Sequence, residues 1–130
     1  MMVRDGTNNY EVTPPPERLG DRVQMRIGFT ANRGKVLRFI VQLEYWLEGE
    51  WREVVRYDHD AEASGGHDIS DEGLHRDVYR DREKYRSERL SHPLPAKKGF
   101  DMAEEDLHEN VERFIKRFEI WHGVRRTDEP

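Results

Sequence analysis

RVQMRIGFTANRGKVLRFIVQLEYWLEGEWREVVRY, residues 22–57, is the stretch that decides the fold. In its first part Val23, Met25, Ile27 and Phe29 alternate with Arg22, Gln24, Arg26 and Gly28, the period of two expected of a strand with one buried face. Asn32-Arg33-Gly34 supplies residues that tolerate positive φ, and Leu37, Phe39, Val41, Leu43, Tyr45 and Leu47 then form a second alternating series. Ile40 and Trp46 add apolar atoms to the other side of that strand, which suits a central position. Glu48-Gly49-Glu50 turns the chain again, and Trp51, Val55 and Tyr57 carry the pattern into a third strand. Strands joined in this way by short turns form an antiparallel meander.

Downstream, residues 58–73 are rich in Asp, Ser and Gly and read as a long loop. Residues 74–90 keep too few apolar positions for a helix, and read as a fourth and a fifth strand turning near Asp81 and Arg82. Pro93 and Pro95 end that region. Asp101 followed by Glu104 has the spacing of a capping box, so a helix is expected to begin there. Leu107, Val111, Phe114, Ile115 and Phe118 trace its apolar stripe, Glu109 with Arg113 and Glu112 with Lys116 form four-apart pairs, and Gly123 can stop it. Such a stripe must be covered, and the apolar face of the meander is the partner available. Upstream, Gly6, Asn8, Asn9 and Pro14-Pro15-Pro16 deny the backbone regular hydrogen bonding. The expected organisation is a tail over 1–20, one domain over 21–123 and a second tail over 124–130. The fold class is α+β: an antiparallel β-meander of about five strands packed on one C-terminal amphipathic helix.

Composition narrows the chemistry. The chain has 130 residues, 35% hydrophobic and 38% charged, which allows one modest core. It has no cysteine, which excludes disulfides, thiolate metal sites and thiol catalysis and points to a reducing compartment. Neither a membrane-spanning run nor a signal-peptide pattern is present, so the expected location is cytoplasmic with no membrane partner. A net charge of -5 argues against indiscriminate coating of nucleic acid but leaves room for a local basic face.

Three constellations could carry chemistry. By parity, Arg22, Arg26, Arg38, Arg52 and Arg56 share the sheet face that the helix leaves open, with Gln24, Gln42 and Trp46. Guanidinium forks match phosphate oxygens and an indole can stack on a base, so this face suits RNA; the plainer reading is an ordinary solvated sheet face, which Glu44 interrupts. The strings Arg56-Tyr57-Asp58-His59-Asp60, His67-Asp68 and His75-Arg76-Asp77 hold the groups of a metal-free ribonuclease, and the same imidazoles and carboxylates could instead hold zinc or manganese or simply be solvated. The run Arg80, Arg82, Lys84, Arg86 and Arg89, interleaved with Tyr79 and Tyr85, suits single-stranded nucleic acid or the protection of an exposed sheet edge, and Asp81, Glu83 and Glu88 neutralise much of it.

The strings Glu53-Val54-Val55-Arg56-Tyr57-Asp58 and His75-Arg76-Asp77-Val78-Tyr79 resemble a family of small uncharacterised prokaryotic proteins. In that family a strand ending in Arg-Tyr-Asp precedes a His-bearing loop, a His-x-Asp strand, a basic turn and a C-terminal amphipathic helix. More distantly the arrangement is similar to the toxin component of a toxin–antitoxin pair. The resemblance spans roughly residues 35–122 and implies His75, Asp77, Asp58, Arg56 and Tyr57 as the catalytic set. The family's loop reads Ala-His-Gly where this chain has Asp60-Ala61-Glu62-Ala63, with His59 and His67 the nearest histidines. The function so implied is an RNA-directed, toxin-like ribonuclease or RNA binder. Arg56 would contact phosphate, His75 would carry the proton, and Asp58 or Asp77 would orient it. RNA and an antitoxin are the implied partners, and no cofactor is expected. The alternatives are a non-catalytic module that pairs through its sheet face or edge with a second copy or another protein, and a metal-dependent hydrolase.

Overall fold

A computed structural model describes residues 10–62 and 67–125. Its strands are β1 (Glu17–Gly20), β2 (Val23–Asn32), β3 (Lys35–Leu47), β4 (Glu50–Asp60), β5 (His75–Arg80) and β6 (Glu83–Arg89). The helices are α1 (Ile69–Glu72) and α2 (Ala96–Trp121). The strands form one antiparallel sheet in chain order, β1-β2-β3-β4-β5-β6, so the meander is six-stranded rather than five-stranded. The β2–β3, β3–β4 and β5–β6 turns share one solution, with both central residues at positive φ: Arg33 and Gly34, Glu48 and Gly49, Asp81 and Arg82. That mirror-image turn matches the twist of the strands it joins. The last turn lacks glycine, and α2 helps hold it: the Asp81 N–H donates to His122 Nε2 at 3.2 Å, and the His122 ring stacks on Phe118.

From Val23 to Phe29 of β2 and from Phe39 to Tyr45 of β3 the odd-numbered residues face the core as their alternation requires; Leu37, also expected there, is left out of the ladder by a bulge and is 42% exposed, and Val36 packs on the core in its place. Phe39, Val41, Leu43, Tyr45, Val55 and Tyr57 join Leu107, Phe114 and Phe118 in the core. Three boundaries differ from the sequence expectation. Glu17–Gly20, placed in the tail, pairs with β2, and Val12 bridges to Phe29, because the edge of β2 still offers backbone partners. At the other end Val124 packs against the core and donates its N–H to Glu119 O at 2.9 Å; residues 1–9 and 126–130 lie outside the described residues. The helix begins at Ala96, not Asp101, and Pro95 at its N-cap makes no side-chain capping bond. Proline presets the entry φ at -63, and Gly99 lets the first turn settle on Ile69, where an added Cβ would lie 2.1 Å from Ile69 Cδ1. Asp101 instead pairs with Lys97 on the surface at 3.0 Å. Within the stretch read as loop, β4 runs on to Asp60, and α1 is capped by Asp68, whose Oδ1 accepts from the Ser70 N–H at 3.0 Å.

One irregularity governs the open face. A bulge sets Leu43 and Glu44 of β3 against Val55 and Glu53 of β4, leaving Val54 as the extra residue. Beyond it the parity of β4 is reversed, and Arg52 stands across from Tyr45 on the helix-covered side.

Candidate functional site

The open face is built around a buried acid. Glu44, only 2% exposed, accepts from Gln24 Nε2 at 2.7 Å, from Gln42 Nε2 at 2.6 Å and from Arg26 Nε at 3.2 Å. The network continues through Arg56, which donates from Nε to Gln42 Oε1 at 2.6 Å and from Nη2 to Glu53 Oε2 at 3.3 Å. Arg38 pairs with Asp60 at 3.3 Å and lies over the ring of Tyr10. The expectation that five arginines share this face is therefore corrected. Arg26, Arg38 and Arg56 do share it, each answered by an acid. Arg52 is turned away by the bulge and pairs with Glu48 at 2.6 Å. Arg22 lies ahead of β2, on the side of Tyr45 and α2.

Farther along the same face, separate segments converge. Asp58 comes from β4, Asp77 from β5 and His67 from the segment leading into α1; one ligand atom of each lies within 4.8 Å of the others. His67 Nε2 stands 4.0 Å from Asp58 Oδ1 and 3.9 Å from Asp77 Oδ2. Its backbone oxygen accepts from the Asp60 N–H at 2.7 Å, its Nδ1 lies 3.4 Å from Glu72 Oε1, and its ring stacks on His75. His75 Nδ1 is 3.1 Å from Gly73 O, a carbonyl that can only accept, so Nδ1 carries the proton and a neutral ring leaves Nε2 as an acceptor. Asp77 stands across the ladder from Arg56, whose guanidinium lies over the ring of Tyr79. The Asp77 side chain is 5% exposed; Oδ2 meets Lys84 Nζ at 3.3 Å, and Oδ1 is buried with no hydrogen-bond partner. Burial, reinforced by the neighbouring Asp77 charge and opposed by His67, Arg56 and Lys84, pushes the Asp58 carboxyl up. Two carboxylates and one imidazole form a donor set that suits zinc or manganese and leaves coordination positions open.

Of the implied catalytic set, Asp58, Asp77, Arg56 and His75 are brought to one margin of the open face. Tyr57 is not. Alternation turns it to the helix side, where it is fully buried and its hydroxyl donates to Asp106 Oδ2 at 2.6 Å; burial first, then Asp106, drives its pKa well upward. His67 stood among the His–Asp strings but outside the set implied by resemblance, because no short motif links it to either aspartate. His59 serves structure: its ring is buried and Nδ1 accepts the Ile69 N–H at 3.0 Å.

A meander covered on one face by a long helix, with a His/Asp cluster at the margin of the other, defines an α+β protein with a candidate reaction or cation site among the described residues. The chain belongs to the family described as "Domain of unknown function (DUF7718)", which matches residues 9–124. No curated protein and no solved structure matches it. The family description names no activity, and the toxin similarity drawn from the two short strings has no support there. Among the described residues, no helix is long and apolar enough to cross a membrane.

Proposed function

We propose that the protein is a divalent-cation-assisted phosphodiester hydrolase directed at RNA, with its centre at Asp58, His67 and Asp77. The observation that supports this reading is the convergence of one ligand atom from each of the three within 4.8 Å, on an Asp77 carboxylate whose other oxygen, Oδ1, is buried without a hydrogen-bond partner. A buried carboxylate oxygen without a partner costs roughly 1–3 kcal/mol, and a coordinated cation removes that cost. When bound, such an ion supplies a Lewis acid and an activated water. The protein's own groups do the rest. Lys84, 46% exposed on an edge strand, neutralises Asp77 at present and can yield that place to a cation while drawing a phosphate toward it. Arg56, held by Gln42 and Glu53, fixes a second positive charge beside the cluster. His75 offers Nε2 to a proton in transit.

The test is calorimetric titration of untagged protein with Mn2+ and Zn2+, together with cleavage of a single-stranded RNA. One ion should bind per chain, and Asp77→Asn should weaken binding at least tenfold while Asp60→Asn leaves it unchanged. Cleavage should require the ion and disappear in Asp77→Asn and His67→Ala. No ion binding, or ion binding with no cleavage of RNA, overturns the proposal.

A further inference from the structure

The basic run of residues 80–89 divides between the two faces of the sheet. A bulge pairs Val78 with Arg86 and Tyr79 with Lys84, so Tyr85 is left out of the ladder. Lys84 goes to the open face and meets Asp77. Arg86 goes with Val78 to the side of α2, and Tyr85 leans on Trp121 at 5.0 Å. On that side the last turns of α2 contribute Arg113 and Arg117. Arg117 lies over the rings of Phe114 and Trp121, Arg113 over Phe114, and Arg80 over Tyr85 and Trp121.

The charges in this region do not balance. Its acids are mostly engaged elsewhere: Glu88 and Asp106 are both held by Arg76 at 2.9 and 2.5 Å, Glu88 also meets Arg86, and Asp81 meets His122 at 3.4 Å. Among the described residues Arg80, Arg113 and Arg117 make no ion pair, and Arg117 Nη2 is buried without a hydrogen-bond partner. Burial first, helped by the charges of Arg86, Arg113 and Arg76 and opposed by Glu88, lowers the Arg117 pKa.

We infer that the surface shared by β6 and the last turns of α2, carrying Arg80, Tyr85, Arg86, Arg113, Arg117 and Trp121, binds the backbone and bases of single-stranded RNA. Arg80 and Arg113, held against aromatic faces and in no ion pair, can turn N–H groups to phosphate, Arg117 adds its charge from beneath, and Tyr85, 51% exposed, gives a base a ring to stack on. An acidic peptide or an anionic lipid surface would use the arginines but not the rings. A strand of RNA turning around the edge of β6 passes from this surface to Lys84 and the cluster beyond it. The assignment shares the RNA reading proposed for the cluster and depends on different residues.

The experiment is fluorescence anisotropy of a labelled single-stranded oligoribonucleotide in a chelating buffer, which takes the cation cluster out of play. The double variant Arg86→Glu/Arg113→Glu alters two exposed side chains, and circular dichroism and a thermal melt verify its fold. Its affinity should fall at least tenfold, and the slope of log affinity against log salt should lose about 0.7 for each arginine removed. Arg33→Glu, at the far β2–β3 turn, should change neither. Asp77→Asn should bind RNA normally under chelator even where it cleaves none. Absence of binding, an equal loss in Arg33→Glu, or equally tight binding of polyglutamate or anionic vesicles overturns the assignment. If the surface binds RNA while the cluster binds no ion, the hydrolase reading falls and this one stands.

Discussion

Gly73 shows how closely single residues determine the site. It joins α1 to β5 at a φ of 84, two positions before His75, and an added Cβ would lie 2.2 Å from the Ser91 carbonyl oxygen. That oxygen is backbone, fixed by the pairing of Leu90 with Leu74, so it cannot move aside cheaply. Gly73→Ala is expected to destabilise the fold by more than about 2 kcal/mol, read from a urea midpoint, with left-handed backbone strain and the clash adding together. Tyr57 makes a second case, one that pH can test. Its folded pKa is raised above the unfolded value, so its contribution is complete below pH 10.0 and is lost as pH rises beyond that. Tyr57→Phe should cost about 1 kcal/mol at neutral pH through the lost bond to Asp106. It should also make the alkaline decline in stability shallower than in the parent. An unchanged alkaline profile would show that the buried phenol does not couple to folding. Tyr10, Tyr45 and Tyr79 are raised as well, so the decline is not abolished.

Among the elements, α2 supplies the most side chains to the core, from Phe100 to Phe118. Phe114 is fully buried under Arg76, Arg113 and Arg117, and Phe114→Ala should cost about 3–5 kcal/mol in denaturant unfolding. Asp101 offers the contrast that tests where this helix begins. It lies inside the helix and pairs with Lys97 in water, so Asp101→Ala should change stability by only a few tenths of a kcal/mol. A loss near 1 kcal/mol would restore it as the cap. Bulges decide the faces of β4 and β6: one removes Arg52 from the open surface, and the other separates Lys84 from Arg86. Alternation read along a strand carries no sign of either, because a bulge is settled between two strands.

At the scale of the whole molecule, an ion held only by the folded chain must add to global stability. With Mn2+ at a hundred times its dissociation constant, unfolding should cost about 2.7 kcal/mol more, and Asp77→Asn should remove the gain. A urea midpoint that does not move with Mn2+ would argue against a preformed site. The order of the meander, the odd-numbered core positions of its long strands and the apolar stripe of α2 were legible in the chain. Periodicity of two or of 3.6 is local, and a face that must be buried leaves its mark every second or every third and fourth residue. Asp58, Asp77, Arg56 and His75 could be named as candidates because short strings rich in His, Asp and Arg carry them. The bond of Tyr57 to Asp106, the place of His67 between two aspartates and the gathering of Arg80, Arg86, Arg113 and Arg117 were decided only by tertiary structure. Each joins segments distant along the chain, and their nearness comes from strand register, bulges and the docking of α2, none of which a one-dimensional pattern records.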